Sequence, residues 1–510
     1  MKRINQMRIG RLLLALTLVL SLFGQLGTET GLQPVALQPY LAYLAAQEPE
    51  TVVSVIVQKE TAATVVETRV TDLGGTITAD LSIIQGFAAL LPAGKVPELA
   101  RTPGVKAVSF DAPMVETDCA DCTTTGQLSN TYIRAIRADQ VWGQLQGQGI
   151  GVAVVDSGVN WQTDLYTVQG QNRVVANVAF HNGYNATTFD AYSHGSHVAG
   201  IIGGNGRSSN GAIIGVAPQS RIINVKVSDD LNQGSGTALS VVQGLQWVLQ
   251  NKATYNIRVV NLSLNSAVPE AYNTSPINAA VEVLWFNGIV VVASAGNRGS
   301  GAIYPPANDP FIITVGATDD RGTAAISDDV VAGYSAYGIA TGVLTKPELV
   351  APGRNIVSLM GNSGQGLPAA HPGNVVSVGG ARYFRMSGTS MAAPMVAGAV
   401  ALLLQDEPRL TPDQVKYRLM ATANKSWGGY SASTAGAGYL DVAAAINGNS
   451  TQSANTGVAA SRLLWTGAKP VTWTSVNWNS VNWNSVNWNS VNWNSVNWNS
   501  VNWNSTYWGP

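Results

Sequence analysis

The sequence predicts an α/β protein with a mostly parallel sheet that carries helices on both faces, preceded by a small α+β domain. From about residue 132 to 447, short apolar runs alternate with helical segments, which is typical of strands buried on both faces of a parallel sheet. Strand-like and helix-like segments also alternate in residues 40–115, over a much shorter stretch. A chain of 510 residues is too long for one ordinary core.

The larger region, 132–447, is predicted from five apolar runs and five helical segments. The predicted strands are 151–155, 222–227, 259–264, 289–293 and 312–315. The predicted helices are 194–203, 240–250, 277–287, 389–405 and 412–423. In such a sheet, ligands bind at the carboxyl ends of the strands, so functional residues are expected there.

The small domain, 40–115, is predicted to contain three strands and two helices. The strands are 52–57, 83–91 and 105–110, and the helices are 62–72 and 94–101. An exposed connector, 116–131, separates this domain from the larger one, and it contains Cys119 and Cys122. A zinc site would need two further ligands, and a redox site would need a thioredoxin-like βα context; the sequence shows neither. A local disulfide is therefore favoured for this lone C-x-x-C.

The amino terminus has the pattern of an export signal, predicted as residues 1–27. Lys2, Arg3, Arg8 and Arg11 precede the uncharged apolar run 12–23, which is too short to span a bilayer. A membrane anchor is the alternative interpretation. The signal predicts a secreted protein, and a formal net charge of −1 gives no reason to expect nucleic acid as a partner.

The carboxyl terminus differs in composition from the rest of the chain. A linker, 448–474, precedes a repeat tail, 475–510, which begins with six copies of Ser-Val-Asn-Trp-Asn. Because the repeat is five residues long, its tryptophans would not line up on one side of a helix, and in a strand successive tryptophans would point to opposite faces. The tail is therefore either a disordered, self-associating segment or a segment whose indoles contact cell-surface material.

Four polar residues are expected at strand ends or helix starts of the larger sheet. Asp156 ends the first strand, and His194 begins an apolar helix in Ser-His-Gly-Ser-His-Val-Ala-Gly. Ser390 precedes the long helix, where backbone N–H groups favour negative charge, and Asn297 follows a strand in Ala-Gly-Asn. Each residue alone could be a cap or turn residue, and His194 with His197 could be a weak metal motif.

Taken together, these motifs resemble the subtilisin family of serine peptidases over residues 135–446. The matching segments are Val-Val-Asp-Ser-Gly, His-Gly-Ser-His-Val-Ala-Gly, Gly-Val-Ala-Pro, Asn-Leu-Ser-Leu, Ala-Gly-Asn and Gly-Thr-Ser-Met-Ala-Ala-Pro. The resemblance implies a secreted endopeptidase that hydrolyses proteins or peptides through Asp156, His194 and Ser390, with Asn297 stabilising the oxyanion. It implies no cofactor for the chemistry.

Some positions depart from the family pattern. Asn265 stands where relatives usually have glycine in a cleft wall, Ile303 is expected to fill the floor of a substrate pocket, and Arg298 adds positive charge nearby. Structural calcium is common in relatives, with Asp164 and Asn210 as candidate ligands here, although residues 205–213 do not match the usual ligand pattern.

Residues 51–111 resemble the propeptide of the same family, notably in Gln-Gly-Phe-Ala-Ala and Pro-Gly-Val-Lys-Ala-Val. Such propeptides have a ferredoxin-like fold and inhibit the enzyme, so the resemblance implies a zymogen that is inhibited by its own amino-terminal domain. Two other function classes compete with this interpretation. One is a surface-binding protein that uses an inactive protease scaffold, and the other is a metal-dependent hydrolase.

Overall fold

The computed structural model describes residues 36–464, apart from 62, 118–130, 182–187, 229–233, 302, 342–343 and 362–363. The predicted signal peptide, the Cys119–Cys122 disulfide, the repeat tail and residues 465–474 of the linker lie outside the described residues. Of the predicted connector, residues 116, 117 and 131 are described.

The small amino-terminal domain is a five-stranded sheet in the order β1-β5-β2-β4-β3. Strand β1 is parallel to β5, and the other neighbours are antiparallel. From β2 to β5 the elements follow the β-α-β-β-α-β order of a split βαβ unit. The bounds are β1 (Ala36–Leu37), α1 (Pro39–Gln47), β2 (Val52–Lys59), α2 (Val65–Asp72), β3 (Thr76–Leu81), β4 (Gly86–Pro92), α3 (Val96–Ala100) and β5 (Val105–Phe110).

Strand β3 has no counterpart in the sequence prediction. It is an edge strand in which Leu81 alone is buried, so it lacks the apolar alternation from which a strand is recognised. The predicted strand 83–91 is instead a short 3₁₀ turn, Ser82–Ile84, followed by β4.

The large domain contains the remaining strands and helices. Its strands are β6 (Pro113–Glu116), β7 (Gly151–Asp156), β8 (Val174–Ala179), β9 (Arg221–Lys226), β10 (Gly236–Thr237), β11 (Ile257–Leu262), β12 (Leu264–Ser266), β13 (Val290–Ser294), β14 (Ile313–Asp319), β15 (Val330–Val331), β16 (Gly338–Thr341), β17 (Leu344–Lys346), β18 (Leu349–Pro352), β19 (Ile356–Leu359), β20 (Val375–Val378) and β21 (Ala381–Met386). Its helices are α4 (Tyr132–Ala135), α5 (His194–Gly203), α6 (Ala238–Gln250), α7 (Lys252–Tyr255), α8 (Pro276–Phe286), α9 (Gly366–Ala370), α10 (Thr389–Asp406), α11 (Pro412–Thr422), α12 (Ala432–Ala435) and α13 (Val442–Asn447).

The central sheet has the order β15-β14-β13-β11-β7-β9-β8, with β18 also beside β14. Its pairs are parallel except for β14 with β15, which confirms the predicted mostly parallel sheet. All residues of β7 are buried, and because successive side chains point to opposite faces, both faces are covered. Helices α5 and α10 pack together, as do α6 and α8.

The strands missing from the prediction are short or lie at edges. Strand β8 alternates buried and exposed residues over its first four positions, and β18 is only four residues long and ends in proline. Short elements of this kind provide too few apolar residues to show a period.

The first part of the predicted linker packs on the large domain. Asn455 Nδ2 donates to the carbonyl of Phe311 at 3.0 Å, and the amide of Ser461 donates to the Glu282 carboxylate. Both Asn455 and Ser461 are buried, so residues 448–464 extend the domain in this structure.

Helix α10 is the central helix of the large domain. It is the one helix among the described residues that is long and apolar enough to cross a membrane, but 89% of that stretch is buried within the protein. Its apolar character therefore follows from its place in the core.

Candidate functional site

Three neighbouring strands end at one edge of the central sheet and carry polar residues there. Asp156 is the last residue of β7, Ser263 follows β11, and Asn297 lies three residues beyond β13. Strand β11 pairs with both β7 and β13, so the three positions adjoin. This is the edge at which parallel sheets bind ligands.

Asp156 and His194 form a buried pair at this edge. Asp156 Oδ1 lies 2.7 Å from His194 Nδ1 and also accepts a hydrogen bond from the amide of Ser157 at 2.8 Å. Neither Asp156 nor His194 is exposed to solvent. A neutral imidazole that donates through Nδ1 keeps its lone pair on Nε2, so Asp156 selects the tautomer in which Nε2 acts as a base.

A second buried aspartate holds the start of the histidine helix. Asp190 accepts hydrogen bonds from the amides of Ser193 and Ser196, both at 2.7 Å, and from Ser157 Oγ at 2.9 Å. Ser157 Oγ in turn accepts from the amide of Gly195. Burial raises the pKa of Asp190, while the bonds from Ser196 lower it. Asp190 therefore satisfies the first amides of α5 and fixes the position of His194.

Ser390 and Asn297 are held together at the start of α10. Asn297 Oδ1 accepts hydrogen bonds from the amide and the hydroxyl of Thr389, both at 3.0 Å. This fixes the orientation of the carboxamide, and its Nδ2 and the amide of Ser390 share one acceptor, the carbonyl oxygen of Thr117. The Ser390 hydroxyl donates to the carbonyl of Ser263 at 2.9 Å.

Strand β6, which follows the small domain along the chain and pairs within the large domain, lies in the cleft above these residues. Strand β6, Pro113–Glu116, is the middle strand of an antiparallel sheet with β10 on one side and β12 on the other. Met114 of this strand is buried in the core. The chain thus occupies the cleft as a peptide substrate would, through main-chain pairing on both sides.

The main chain of Thr117, directly after β6, is bound at the polar edge. Its carbonyl oxygen accepts from Asn297 Nδ2 at 2.5 Å and from the amide of Ser390 at 3.3 Å. Its amide donates to the carbonyl of Ser263 at 3.2 Å. Two donors that converge on one carbonyl oxygen beside a serine hydroxyl have the geometry of an oxyanion hole.

Glu116 also reaches the histidine. Its Oε2 lies 3.2 Å from His194 Nδ1, and Glu116, Asp156 and His194 are the one cluster of metal-ligand type among the described residues. The pair distance of 2.7 Å between Nδ1 and Asp156 Oδ1 is that of a hydrogen bond. Two atoms that each lie about 2.0–2.1 Å from a tetrahedral zinc ion are roughly 3.3 Å apart. The geometry therefore does not fit a metal centre.

The second histidine of the motif faces elsewhere. His197 Nε2 lies 2.9 Å from the carbonyl of Phe384 and 3.1 Å from that of Ile356, in the neighbouring sheet. Burial, and next the charge of His194, lowers the pKa of His197 to about 3. His197 is a neutral core residue, and the two histidines do not converge on a common ligand.

The positions that depart from the family pattern are buried near the cleft. Asn265 is fully buried and donates to the carbonyl of Ser294 at 3.1 Å. Ile303 is buried in a cluster with Ala295. Arg298 stacks on the ring of Tyr304 with its guanidinium carbon 4.2 Å from the ring centroid.

The two candidate calcium ligands do not form a cation site. Asp164 Oδ1 accepts from the amide of Ser208 at 2.5 Å, and its Oδ2 accepts from the Tyr383 hydroxyl at 2.7 Å. Both oxygens are thus surrounded by hydrogen-bond donors. Asn210 lies in a left-handed turn with φ 54°.

The small domain docks on α6 and on the loop before α8. Gln246 Oε1 accepts from the amide of Ile83 at 2.9 Å, and Asp111 Oδ1 accepts from the amide of Leu239 at 2.8 Å, at the start of α6. Ser109 Oγ donates to Glu270 Oε1 at 2.9 Å. Lys106 Nζ also reaches the carbonyl oxygen of residue 463.

Sequence reasoning did not assign roles to three residues of this site. Ser263 supplies the carbonyl that binds both Thr117 and Ser390, although its motif, Asn-Leu-Ser-Leu, was noted. Asp190 and Thr389 orient His194 and Asn297. Asp190 lies shortly before the histidine motif, and Thr389 is the first residue of α10. These positions are the signal that could have found them.

Comparison with known proteins identifies the family. The profile of the subtilase family of peptidases matches residues 147–460. Serine protease AprX of Bacillus subtilis is 36% identical over 313 residues, which is 60% of this chain and 67% of that protein. Subtilisin Savinase of Lederbergia lenta is 34% identical over 279 residues, 55% of this chain and 85% of that protein.

One solved structure supports the fold. Fervidolysin from Fervidobacterium pennivorans, a keratinolytic enzyme related to subtilisin, superposes with a TM-score of 0.59 at 24% identity. The match covers 79% of this chain and 62% of fervidolysin.

Proposed function

Since the chain belongs to the subtilase family of serine endopeptidases, we propose that it hydrolyses peptide bonds of proteins through Asp156, His194 and Ser390, and that residues 36–117 inhibit it until the Thr117–Asp118 bond is cut. The observation that carries this proposal is the carbonyl oxygen of Thr117, which lies between Asn297 Nδ2 and the amide of Ser390. A peptide bond held there is placed for attack by the serine.

The proposed reaction is acyl transfer. The Ser390 hydroxyl turns from the Ser263 carbonyl toward His194, which takes its proton as the oxygen attacks the substrate carbonyl. His194 then returns the proton to the leaving amine, and water releases the acyl group by the same steps in reverse order. Asp156 stays ionised and stabilises the imidazolium, while Asn297 and the amide of Ser390 stabilise the oxyanion.

The inhibitory role of the small domain is supported by where it binds. Strand β6 occupies the cleft, and Glu116 contacts the catalytic histidine, so a second peptide has no access. After cleavage, the docking contacts at α6 and Glu270 keep the domain on the enzyme as a product. Activity then requires that the domain dissociates or is degraded.

The test is the fate of the precursor. Wild-type protein should yield a new amino terminus at Asp118, and Ser390→Ala should accumulate with residues 117 and 118 still joined. A fluorophosphonate should label the wild type at Ser390 and leave Ser390→Ala unlabelled. An uncut wild-type chain that is fully active would refute the zymogen proposal, and full activity of Ser390→Ala would refute the assignment of the nucleophile.

Export and surface attachment are further parts of the proposal. The basic start and apolar run of residues 2–23 support secretion, and the tryptophan-rich tail supports contact with cell-surface material. Deletion of residues 471–510 should leave the hydrolysis of a small soluble peptide unchanged and reduce retention of the enzyme on cells. Loss of peptide hydrolysis on deletion would show that the tail belongs to the catalytic unit.

A further inference from the structure

The side chain of Thr117 contacts a small, polar pocket beside the nucleophile. Thr117 is 4% exposed, and its hydroxyl donates to Ser294 Oγ at 2.5 Å. The same hydroxyl lies 2.6 Å from Ser390 Oγ. Resting on the proposed function, we propose that this pocket selects threonine or serine before the scissile bond, with Ser294 recognising the hydroxyl and Asn265 limiting the size.

Ser294 presents a hydrogen-bond acceptor to the substrate side chain. Its own hydroxyl donates to the carbonyl of Leu262 at 3.5 Å, so a lone pair faces Thr117. A valine in place of Thr117 would put a methyl group at the same 2.5 Å from Ser294 Oγ. Carbon and oxygen normally approach to about 3.3–3.6 Å, so valine could not keep this position. The pocket therefore discriminates between side chains of nearly equal volume.

Asn265 closes the pocket to larger side chains. The Thr117 hydroxyl lies between two chain segments, 3.3 Å from the carbonyl of Ser263 and 2.5 Å from Ser294 Oγ. Asn265 Nδ2 bridges these segments by its bond to the Ser294 carbonyl. On the other side, Asn265 Oδ1 would be 2.8 Å from a Cβ on Gly296, which has φ 104°. The space between the segments is thus already filled by the carboxamide.

Ile303 fills the space behind this wall. It is 6% exposed and packs in one apolar cluster with Ala295, Ala307 and Ala336. Ala295 directly follows Ser294, so the cluster supports the wall of the pocket from behind. A leucine or phenylalanine before the scissile bond would have to displace both Asn265 and this cluster, which close packing makes costly.

The inference is tested with a peptide series on the processed enzyme. Each substrate is Pro-Met-Val-Glu-Xaa p-nitroanilide, in which Xaa is threonine, serine, valine, alanine, leucine or phenylalanine. We expect kcat/KM for threonine and serine to exceed that for valine about 100-fold, because a buried polar site rejects an analogue without the hydroxyl. Leucine and phenylalanine should be poorer still.

Three variants separate the two roles. Ser294→Ala should lower the threonine-to-valine ratio of kcat/KM at least about tenfold, with the Ser263 carbonyl left as the other acceptor. Asn265→Gly, or Asn265→Ala if the glycine variant does not fold, should raise kcat/KM for leucine at least about tenfold relative to threonine. Ser220→Ala is the matched control, since Ser220 is a buried serine whose hydroxyl donates to the Ala217 carbonyl at the opposite end of the sheet. It should keep the wild-type ratios.

The outcomes distinguish this inference from the proposed function. If the wild type hydrolyses leucine or phenylalanine substrates as fast as threonine, or if Ser294→Ala keeps the full threonine-to-valine ratio, the inference is wrong while the endopeptidase function stands. If the wild type cleaves neither these peptides nor denatured protein and is not labelled by a fluorophosphonate, the proposed function itself is wrong.

Discussion

The proposed catalytic residues and the small amino-terminal domain are held in place by different kinds of contact. The bonds that orient Asp156 and Asn297 come from Ser157, His194 and Thr389, all within the large domain and all buried or partly buried. The small domain is joined to strand β6, which pairs in the cleft, and it is bound by single side-chain bonds on α6 and the loop before α8.

This difference indicates that the site is formed by the core and does not depend on the small domain. Substitutions at the triad should change the chemistry by orders of magnitude with the docked domain still bound. Substitutions at the docking contacts should change how long the domain stays bound and leave the chemistry as it is.

The largest effect is expected at the two histidines of α5, which lie one turn apart. His194→Ala should lower kcat about 10⁶-fold, because the general base is lost. His197→Ala should instead keep most of the kcat and lower the free energy of unfolding by about 2–4 kcal/mol, because it leaves a cavity and removes the ring nitrogen that contacts two carbonyls. Steady-state kinetics and thermal unfolding of both variants make the comparison.

Equal losses of kcat in the folded His194→Ala and His197→Ala proteins would contradict the assignment of separate roles. A His197 variant that folds and retains most of its kcat, with a lower Tm, would support it. His197→Asn is a further control, since an amide can still donate to a carbonyl in this position.

A smaller loss is expected at Asn297. Asn297→Ala should lower kcat about 10²–10³-fold, because one of the two oxyanion donors is removed. Asn297→Asp keeps the acceptor for Thr389 but has no donor for the oxyanion, so it should be impaired as well. An alanine variant with wild-type kcat would show that the contact of Asn297 with the Thr117 carbonyl has no equivalent in the transition state.

The sequence was more informative about the centre of the molecule than about its edges. Strand β7 and helix α5 were predicted almost to the residue, because burial on all sides gives continuous apolar runs and short motifs mark their ends. Strands β3 and β8, partly exposed at sheet edges, show weak patterns. The contacts of Thr117 were not predictable, since they join residues far apart in the chain.

A change of pH is expected to have an intermediate effect on how long the small domain stays bound. Burial raises the pKa of Glu270 to about 8 from its ordinary 4.5, and the hydrogen bonds from Ser109 and Ser275 only partly oppose this. The docked state thus favours the protonated carboxyl. The contribution of the protonated Glu270 carboxyl to docking is complete below pH 4.5 and is lost as the pH rises through about 8.

Release of the small domain should therefore be about 10²–10³-fold faster at pH 9 than at pH 5. Processed complex is incubated at each pH, and the activity that has appeared is then assayed at one common pH, so that the pH dependence of the peptidase assay itself does not enter. Glu270→Gln should flatten the dependence, although Asp111, whose pKa burial also raises, contributes in the same direction. Release that slows with rising pH would contradict the prediction.

The smallest effect is expected at Gln246 on the outer face of α6. Its Oε1 accepts bonds from Ile83 and from the hydroxyl of Ser82, at 2.9 and 3.1 Å. Gln246→Ala removes both, and because each net hydrogen bond contributes about 1 kcal/mol, the domain should dissociate about 5–30-fold faster. Gln250→Ala, an exposed glutamine at the end of the same helix, should leave dissociation unchanged. Once the domain has gone, kcat/KM of both variants should equal that of the wild type, and a lower kcat/KM for Gln246→Ala would show that docking and chemistry are coupled through α6.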